Sequence, residues 1–441
     1  MAIVAAQANM ILNTFMLHIR DNMVSSNLVS WNVHTRAMND RNGLIVSQQV
    51  PPSFVVVETV GGVKDLSAGA QDVVFGAQTF TLNRTFNVAF SATDIESVVS
   101  MQEARRSKAL RAAAESMASK LDNHIMGVAS RAFPLITGTA GAGVTTPQAF
   151  DAARTRLAEA SLESDARLSG VLTHADATSL NQFIYNNNAS MSTEGARAMA
   201  VGYGGMLGGV PIKKTNTLGI ITTGTRGAGT VAGAAQNVNY SAAADAGSNA
   251  GYYLTQTLNI AGIGAAATVK AGEILSIAGV TAYNPNLERV RPYTQQFTVI
   301  EDAVADGAGA ATIRIYPAII VAVPGSATGA NAVNTAHATV DAAPANGAAV
   351  TFYGNASTAY TPRLIFRDDA ITVHSVPLSN VYTGQAFPRP LADVQRDNVV
   401  PLAPRLWLYS DPDTGIHTAR MDVFVEAQPA DRALGVRFFG A

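Results

Sequence analysis

Apolar residues first recur at helical spacing in Gln7 to Leu28, where Leu12, Phe15, Ile19 and Met23 lie three or four apart. They form the stripe of a short amphipathic helix, which suits a core helix and an arm docked on a neighbour equally well. From Gly43 to Phe90 the pattern becomes extended. The runs LIVSQQV, SFVVVETV and FTLNRTFNVAF are rich in Val, Phe and Thr, which predicts strands. Between the second and third lies GGVKDLSAGAQD, polar and Gly-rich, as expected for the tip of a long two-stranded excursion. Thr93 and Glu96 then fit a capping box. Behind them Leu110, Ala114, Met117, Leu121, Ile125 and Val128 keep helical spacing until Pro134 stops the run. A helix from about Ile95 to Arg131 would be about 50 Å long, more than the roughly 30 Å diameter of a small domain, so it needs an elongated body to lie on.

Pro147, with Thr146 as cap, opens a further helix whose stripe is Phe150, Ala153, Leu157 and Ala160. RLSGVLTH then predicts a strand, and ADATSLNQFIY a helix with Leu180, Phe183 and Ile184 inward. GGMLGGVPIKKTNTL predicts a turn and another strand. From Leu218 to Tyr360 the chain is nearly all Ala, Gly, Thr, Val and Asn, punctuated by YYLTQTLNI, EILSIAGVTAY, QQFTVIE, ATIRIYPAIIV and AAVTFYG. Short strands between Gly turns predict a small β-barrel or sandwich. Gly224 to Gly251 and Pro324 to Ala349 show no stripe and are expected to be long flexible loops. After Tyr360, LIFRDDAITVHSV, RLWLYSD and TARMDVFVEAQ resume ordinary strand patterning. The fold class is therefore α+β: a mixed body interrupted by a β insert and then resumed.

Composition narrows what such a body does. Only 14% of the 441 residues are charged, against 48% hydrophobic, where about a quarter charged is usual. That balance excludes disorder. With no Cys, disulfides, thiolate zinc sites, iron–sulfur clusters and thiol nucleophiles are excluded. A net charge of -2 gives no long-range pull on nucleic acid or acidic membranes. Ala246 to Val269 and Ile315 to Val340 are long enough to span a bilayer at about 20 residues, but Gly, Asn, Thr, Ser, Pro317 and Pro324 make them unfit to insert. The amino terminus lacks a basic region before its apolar stretch, so a cytosolic product is expected. Lys occurs only at 64, 108, 120, 213, 214 and 270, with Arg for every other basic residue. Arg suits planar, partly buried ion pairs, and the bias leans towards subunit interfaces.

No catalytic constellation emerges. The histidines at 18, 34, 124, 174, 337, 374 and 417 are scattered, without a ligand pair. Asp413-Thr414-Gly415 spells the aspartic-protease triplet once, where that chemistry needs two carboxylates, so it is expected to be a turn between strands. Gly227, Gly229 and Ala232 match GxGxxA, but no apolar stripe follows to build the helix a dinucleotide needs, and a loop is expected. There is no P-loop. Arg105, Arg106, Lys108 and Arg111 form the densest basic cluster, either a solvated helix face or an ion-pair row between subunits. The class left is a structural, self-associating protein without cofactor or metal.

The order of these elements resembles a known family. The amino-terminal helix, GLIVSQQVPPSFVVVE, QDVVFGAQTFTLNRTFNVAFSATDIE and the long helix ending KLDNHIMGVAS together resemble the P22-like tailed-phage major capsid proteins. VKAGEILSIAGVTAYNPNLE with QQFTVIED resembles that family's insertion domain, and FRDDAITVHSVPLS its return into the core. The resemblance implies the HK97-like capsid fold. Its parts would be an arm at 1–42, an E-loop at 43–80 and a P-domain with a spine helix at 81–146. An A-domain at 147–217 and an inserted I-domain at 218–362 would follow, with 363–441 returning to the A- and P-domains. It further implies hexamers and pentamers in an icosahedral shell around double-stranded DNA, assembled in the host bacterial cytoplasm. The implied partners are a scaffolding protein, a portal at one vertex and room for a decoration protein, with no membrane. Lys64 and Asp65, opposite charges on the E-loop tip, are expected to contact a neighbouring subunit. Some capsids of this fold join an E-loop Lys to an Asn covalently; Lys64 is the E-loop's one lysine, and the P22-like branch is not expected to do so. The competing expectation is a bacterial surface-layer lattice, which would need export.

Overall fold

The computed structural model describes residues 13–33, 45–50, 52–54, 73–93, 108–160, 167–187, 206–244, 252–323, 329–376, 391–392, 402, 404–411 and 416–440. The helices in chain order are α1 (13–22), α2 (Lys108–Ala132), α3 (Pro147–Ala160), α4 (His174–Asn187), α5 (Tyr240–Ala243) and α6 (Gly329–Ala336). The first strands are β1 (Ser30–Val33), β2 (Ile45–Val50), β3 (Gly76–Thr81), β4 (Thr85–Thr93), β5 (Leu135–Thr137), β6 (Leu168–Leu172), β7 (Met206–Leu207) and β8 (Val210–Lys214). Next come β9 (Ile221–Thr222), β10 (Gly229–Val231), β11 (Gln256–Ala261), β12 (Thr268–Val269), β13 (Ile274–Asn284), β14 (Arg289–Val299), β15 (Ala303–Val304), β16 (Ala311–Tyr316) and β17 (Ala349–Phe352). The chain closes with β18 (Ala359–Tyr360), β19 (Arg363–Arg367), β20 (Ile371–Ser375), β21 (Leu391–Ala392), β22 (Pro404–Asp411), β23 (Ile416–Pro429) and β24 (Gly435–Phe438). Two compact units result: Met1–Val46, Thr81–Val128 and Ile371–Ala430 form the first, Ser47–Phe80, Ala129–Ala370 and Asp431–Ala441 the second.

In the first unit the expected amphipathic stripes face inward. Phe15, Ile19 and Met23 are buried, as are Leu110, Ala114, Met117, Leu121 and Ile125 along α2, while Val128 is half-buried. Thr93 ends β4, and residues 94–107, with Glu96 and the first part of the expected long helix, lie outside the described residues. The sheet is built on β23. Its first part pairs antiparallel with β4 on one side and β22 on the other, and its last five residues pair with β20, which takes β1 in parallel. The run FTLNRTFNVAF, expected as one strand, is two. Exposed Asn83 and Arg84 break it, so that β3 joins β2 while β4 joins β23.

The second unit holds a six-stranded mixed sheet in the order β5-β24-β19-β6-β8-β7. Pro147 starts α3, and Phe150, Ala153 and Leu157 pack with Leu172, Leu180, Ile365 and Phe438 in its core, Ala160 joining at the edge. Leu180 of α4 is buried and Phe183 half-buried. The β7–β8 turn is Gly208-Gly209, with φ of 57° and 85°. Two successive positive φ values make the type I′ turn that matches strand twist, which only glycine adopts freely.

Within this unit the predicted insert is a closed barrel, β10-β11-β16-β14-β13-β17. Alternation decides which residues fill it: in β11, Leu258 and Ile260 point in while Thr257 and Asn259 stay exposed. Ile313, Ile315, Leu275, Ile277, Phe297 and Val350 complete the core. The two expected loops are corrected here. Gly224 to Gly251 contains β10, the strand that closes the barrel, and α5; Pro324 to Ala349 contains α6. They pack together: Tyr240, Ala243, Ala244, Ala318, Ile320 and Val333 share a core, and the Tyr240 ring stacks on His337 at 3.5 Å between centroids. The two helices are only four and eight residues long, shorter than the window over which a helical stripe can be read, so this packing was not visible in the sequence. GxGxxA falls in β10, where a Cβ on Gly229 would lie 2.6 Å from Ile263; no helix opens there, as expected.

Candidate assembly elements

Of the residues expected to meet a neighbour, Lys64, Asp65, Arg105 and Arg106 lie outside the described residues. Lys108 is exposed at the first described turn of α2. Arg111, also exposed, is already engaged, its Nε 2.8 Å from Glu115 Oε1 one turn on. The basic cluster thus carries an ion pair within its own helix.

The strongest polar constructions are buried, and sequence reasoning missed them. Asp176 stands in the first turn of α4, with Thr173 at the cap accepting its N–H at 3.2 Å. Its carboxylate takes a forked pair from Arg363 on β19, Nε at 2.6 Å and Nη2 at 2.7 Å, and the Val144 N–H at 2.9 Å. Burial alone would raise this carboxyl, but the hydrogen bonds from Arg363, Thr173 and Val144, together with the Arg363 charge, hold it below the ordinary range. A visible signal existed: Thr173 and Asp176 have capping-box spacing.

At the entrance to the barrel, Arg226 and Glu273 meet at 2.7 Å with side chains 5% and 0% exposed. Glu273 also accepts the N–H groups of Gly224 and Lys270 at 2.8 and 2.7 Å, while Arg226 donates to the carbonyls of Tyr353 and Gly354. The connection is tight enough to require Gly224, since a Cβ there would come 1.9 Å from the Thr268 carbonyl oxygen. Arg437 on β24 is buried and, among the described residues, has no carboxylate partner. It donates to the carbonyls of Ser130 and Gly272 and to the Thr298 hydroxyl, and burial, then the nearby Arg432, lower its guanidinium to about 9. These contacts tie the end of α2, the barrel and the last strand together.

The first unit has its own anchors. Asp122 on α2 accepts the Val24 N–H at 2.8 Å, the Ser25 N–H at 3.0 Å and the Ser25 hydroxyl, holding the segment after α1. Burial raises this carboxyl against the opposing effect of those hydrogen bonds. Asp422, fully buried, takes Arg405 at 2.9 Å and Arg420 at 2.6 Å. Glu426 lies 3.2 Å from His124 and 3.7 Å from Arg84.

Among the described residues no three His, Asp or Glu groups converge on a metal site, and no helix is long and apolar enough to cross a membrane. The DTG triplet falls outside them, in the connection from β22 to β23. What the polar groups do is fasten elements: the segment after α1 to α2, and an inserted barrel to the body that it interrupts. A mixed α+β body with a closed barrel inserted into it is the architecture of an HK97-like capsid subunit carrying an I-domain. The family model of the P22 coat protein, gene protein 5, matches residues 1–440, and the chain belongs to that family. It is a major capsid protein: its role is structural, it self-assembles into a shell, and its place is the virion capsid.

Solved structures similar to the chain include capsids. The capsid of the native GTA particle is 10% identical, with 95% of this chain and 90% of that one covered and a TM-score of 0.42. The capsid of Ralstonia phage GP4 is 8% identical, with 94% and 87% covered and a TM-score of 0.42. The CUS-3 coat protein I-domain is 24% identical over 28% of this chain and 94% of its own, with a TM-score of 0.20. The assignment rests on the family match. No curated protein sequence matches the chain, and no finding favours the surface-layer alternative.

Proposed function

We propose that the chain forms hexamers and pentamers of an icosahedral shell that encloses double-stranded DNA. The shell is built with a scaffolding protein in the host bacterial cytoplasm, closed by a portal at one vertex and open to a decoration protein. The observation that carries this reading is the family match along residues 1–440. The net charge of -2 agrees with a lining that confines DNA without gripping it. Negative-stain microscopy of the chain expressed with and without its neighbouring genes tests the reading: closed shells that need a co-expressed gene are expected, and flat sheets or persistent monomers would overturn it.

The domain assignment belongs to this proposal: arm 1–42, E-loop 43–80, P-domain 81–146, A-domain 147–217, I-domain 218–362 and return 363–441. So do the contacts. Lys64 and Asp65 meet a neighbouring subunit from the E-loop tip, and Arg105, Arg106, Lys108 and Arg111 offer charges along the spine helix. Weak exposed pairs of about 0–1 kcal/mol suit a growing shell, because misplaced subunits can leave. Lys64→Ala and Asp65→Ala should give fewer or misshapen shells, and normal shells from both would remove the contact. A denaturing gel of mature particles should show monomer bands, without covalent joining through Lys64.

A further inference from the structure

In the second unit His337, directly after α6, lies flat on the Tyr240 ring of α5, with centroids 3.5 Å and planes 2° apart. Its Nε2 accepts the Ser53 N–H at 3.3 Å. The contact continues beyond this stack. Tyr240 is buried, donates its N–H to Asn334 Oδ1 at 2.8 Å and shares a hydroxyl hydrogen bond of 3.2 Å with Tyr253. The Tyr253 ring in turn lies so close to Gly76 that a Cβ there would come 2.4 Å from it. Beside them Ala77 donates its N–H to the Ala244 carbonyl at 2.9 Å, and Val74 packs on the core shared by Tyr240 and Ala244. Residues on both sides of 55–72 are thus seated on the layer that α5 and α6 form, and one imidazole stands in the path.

A backbone N–H can only donate, so this contact requires an unprotonated Nε2. Protonation sets two donors against each other and places a charge in a layer without a counter-ion. Among the described residues, α6 and residues 52–54 carry no charged side chain, and α5 offers the Tyr240 phenol, with Tyr253 behind it. We propose that His337 is an acid-sensitive latch, which holds residues 52–54 to the insert while neutral and releases them when protonated. Burial lowers the imidazole from its ordinary 6.5 to about 4. The face of Tyr240 attracts a cation and opposes release, yet burial outweighs it. The seated form therefore binds fewer protons than the released form. Seating is complete above pH 6.5 and weakens by up to about tenfold for each pH unit as the pH falls from there to about 4. Where the domain assignment proposed above holds, the latch sets whether the root of the E-loop is fixed to its own subunit or free to turn towards a neighbour.

The unassembled full-length chain tests the latch. It has no Cys, so Phe54→Cys, at a position 53% exposed, takes a single dye next to Ser53. Dye anisotropy should fall between pH 6.5 and about 4 while circular dichroism stays constant. His337→Gln, whose amide oxygen accepts the N–H without titrating, should abolish that fall. Ser53→Pro removes the N–H and should raise the pH at which His337 titrates by about 0.5–1, the weight of one hydrogen bond, read by NMR of labelled histidine. A flat anisotropy in the parent chain, the same fall in His337→Gln, or an unchanged His337 titration in Ser53→Pro overturns the proposal. Unfolding of the whole chain over this range, equal with and without His337→Gln, does so too. No shell is needed for any of these readings, so a failed latch is told apart from a failed capsid assignment.

Discussion

The inserted barrel and the mixed sheet of the second unit are built in opposite ways. The barrel draws β10, β11, β13, β14, β16 and β17 from one stretch, Gly229 to Phe352, and closes on itself. The sheet gathers β5 to β8 from before that stretch and β19 and β24 from after it. Closure removes free edges and keeps every pairing within the one segment, so the barrel can form whenever that segment is present. The sheet cannot be completed until both flanks have met. Such a difference explains how a shell subunit tolerates a large insertion: the inserted segment makes few demands on the order in which the body forms.

The largest test of this contrast is Phe297→Ala, which empties the middle of the barrel core and should cost about 3–5 kcal/mol. Hydrogen exchange should accelerate in β11, β13, β14 and β16 and much less in β6 and β19; equal acceleration in both would mean that the two regions unfold as one. Next, Arg226→Met leaves the Glu273 carboxylate buried and unpaired, at about 3 kcal/mol in chemical denaturation. The double variant with Glu273→Met should regain only part of that, since an apolar pair can replace the buried ionic one but leaves the Gly224 and Lys270 N–H groups without their acceptor.

Asp176→Asn probes the sheet. It weakens the fork to Arg363 and should cost about 1–3 kcal/mol. Because the folded carboxyl lies below the ordinary value of 3.8, its contribution is complete above that value and is lost as the pH falls through the folded value. Asp122 has the opposite sign. Its folded carboxyl lies above 3.8, so the folded state takes up this proton first and gains stability as the pH falls from the raised value towards 3.8. Acid titration of Asp122→Asn and Asp176→Asn proteins should therefore shift the curves in opposite directions. The smallest effect is expected at the exposed Arg111–Glu115 pair, where Arg111→Ala should change stability by less than about 0.5 kcal/mol. Shells that fail to assemble from this otherwise stable variant would place Arg111 at a subunit contact.

Much of the body was legible because large apolar residues marked its faces. Phe15, Ile19 and Met23, the stripe of α2, and Phe150, Ala153 and Leu157 all point where their spacing predicts. The barrel strands were legible as runs of β-branched residues, although periodicity alone left barrel and sandwich both open. Tyr240 and α6 were not legible: α5 and α6 are too short to show a stripe, and the partners Ala318 and Ile320 lie some eighty residues from α5. Nor was Arg437, whose acceptors are two carbonyls and a hydroxyl from three distant segments.

By itself, then, the sequence determined the kinds and order of those elements that large apolar residues mark, the amphipathic stripe of α2, the point where an insert interrupts the body and the absence of thiol chemistry. Those properties depend on residue type and near-neighbour spacing, which a linear chain carries completely. Only the tertiary structure decided that β10 closes the barrel, that Asp176 finds Arg363, that Arg226 finds Glu273 and that Arg437 reaches Ser130, Gly272 and Thr298. Each depends on which distant segments come together, and for small or charged side chains the free energy of burial is set by that partner rather than by the residue itself.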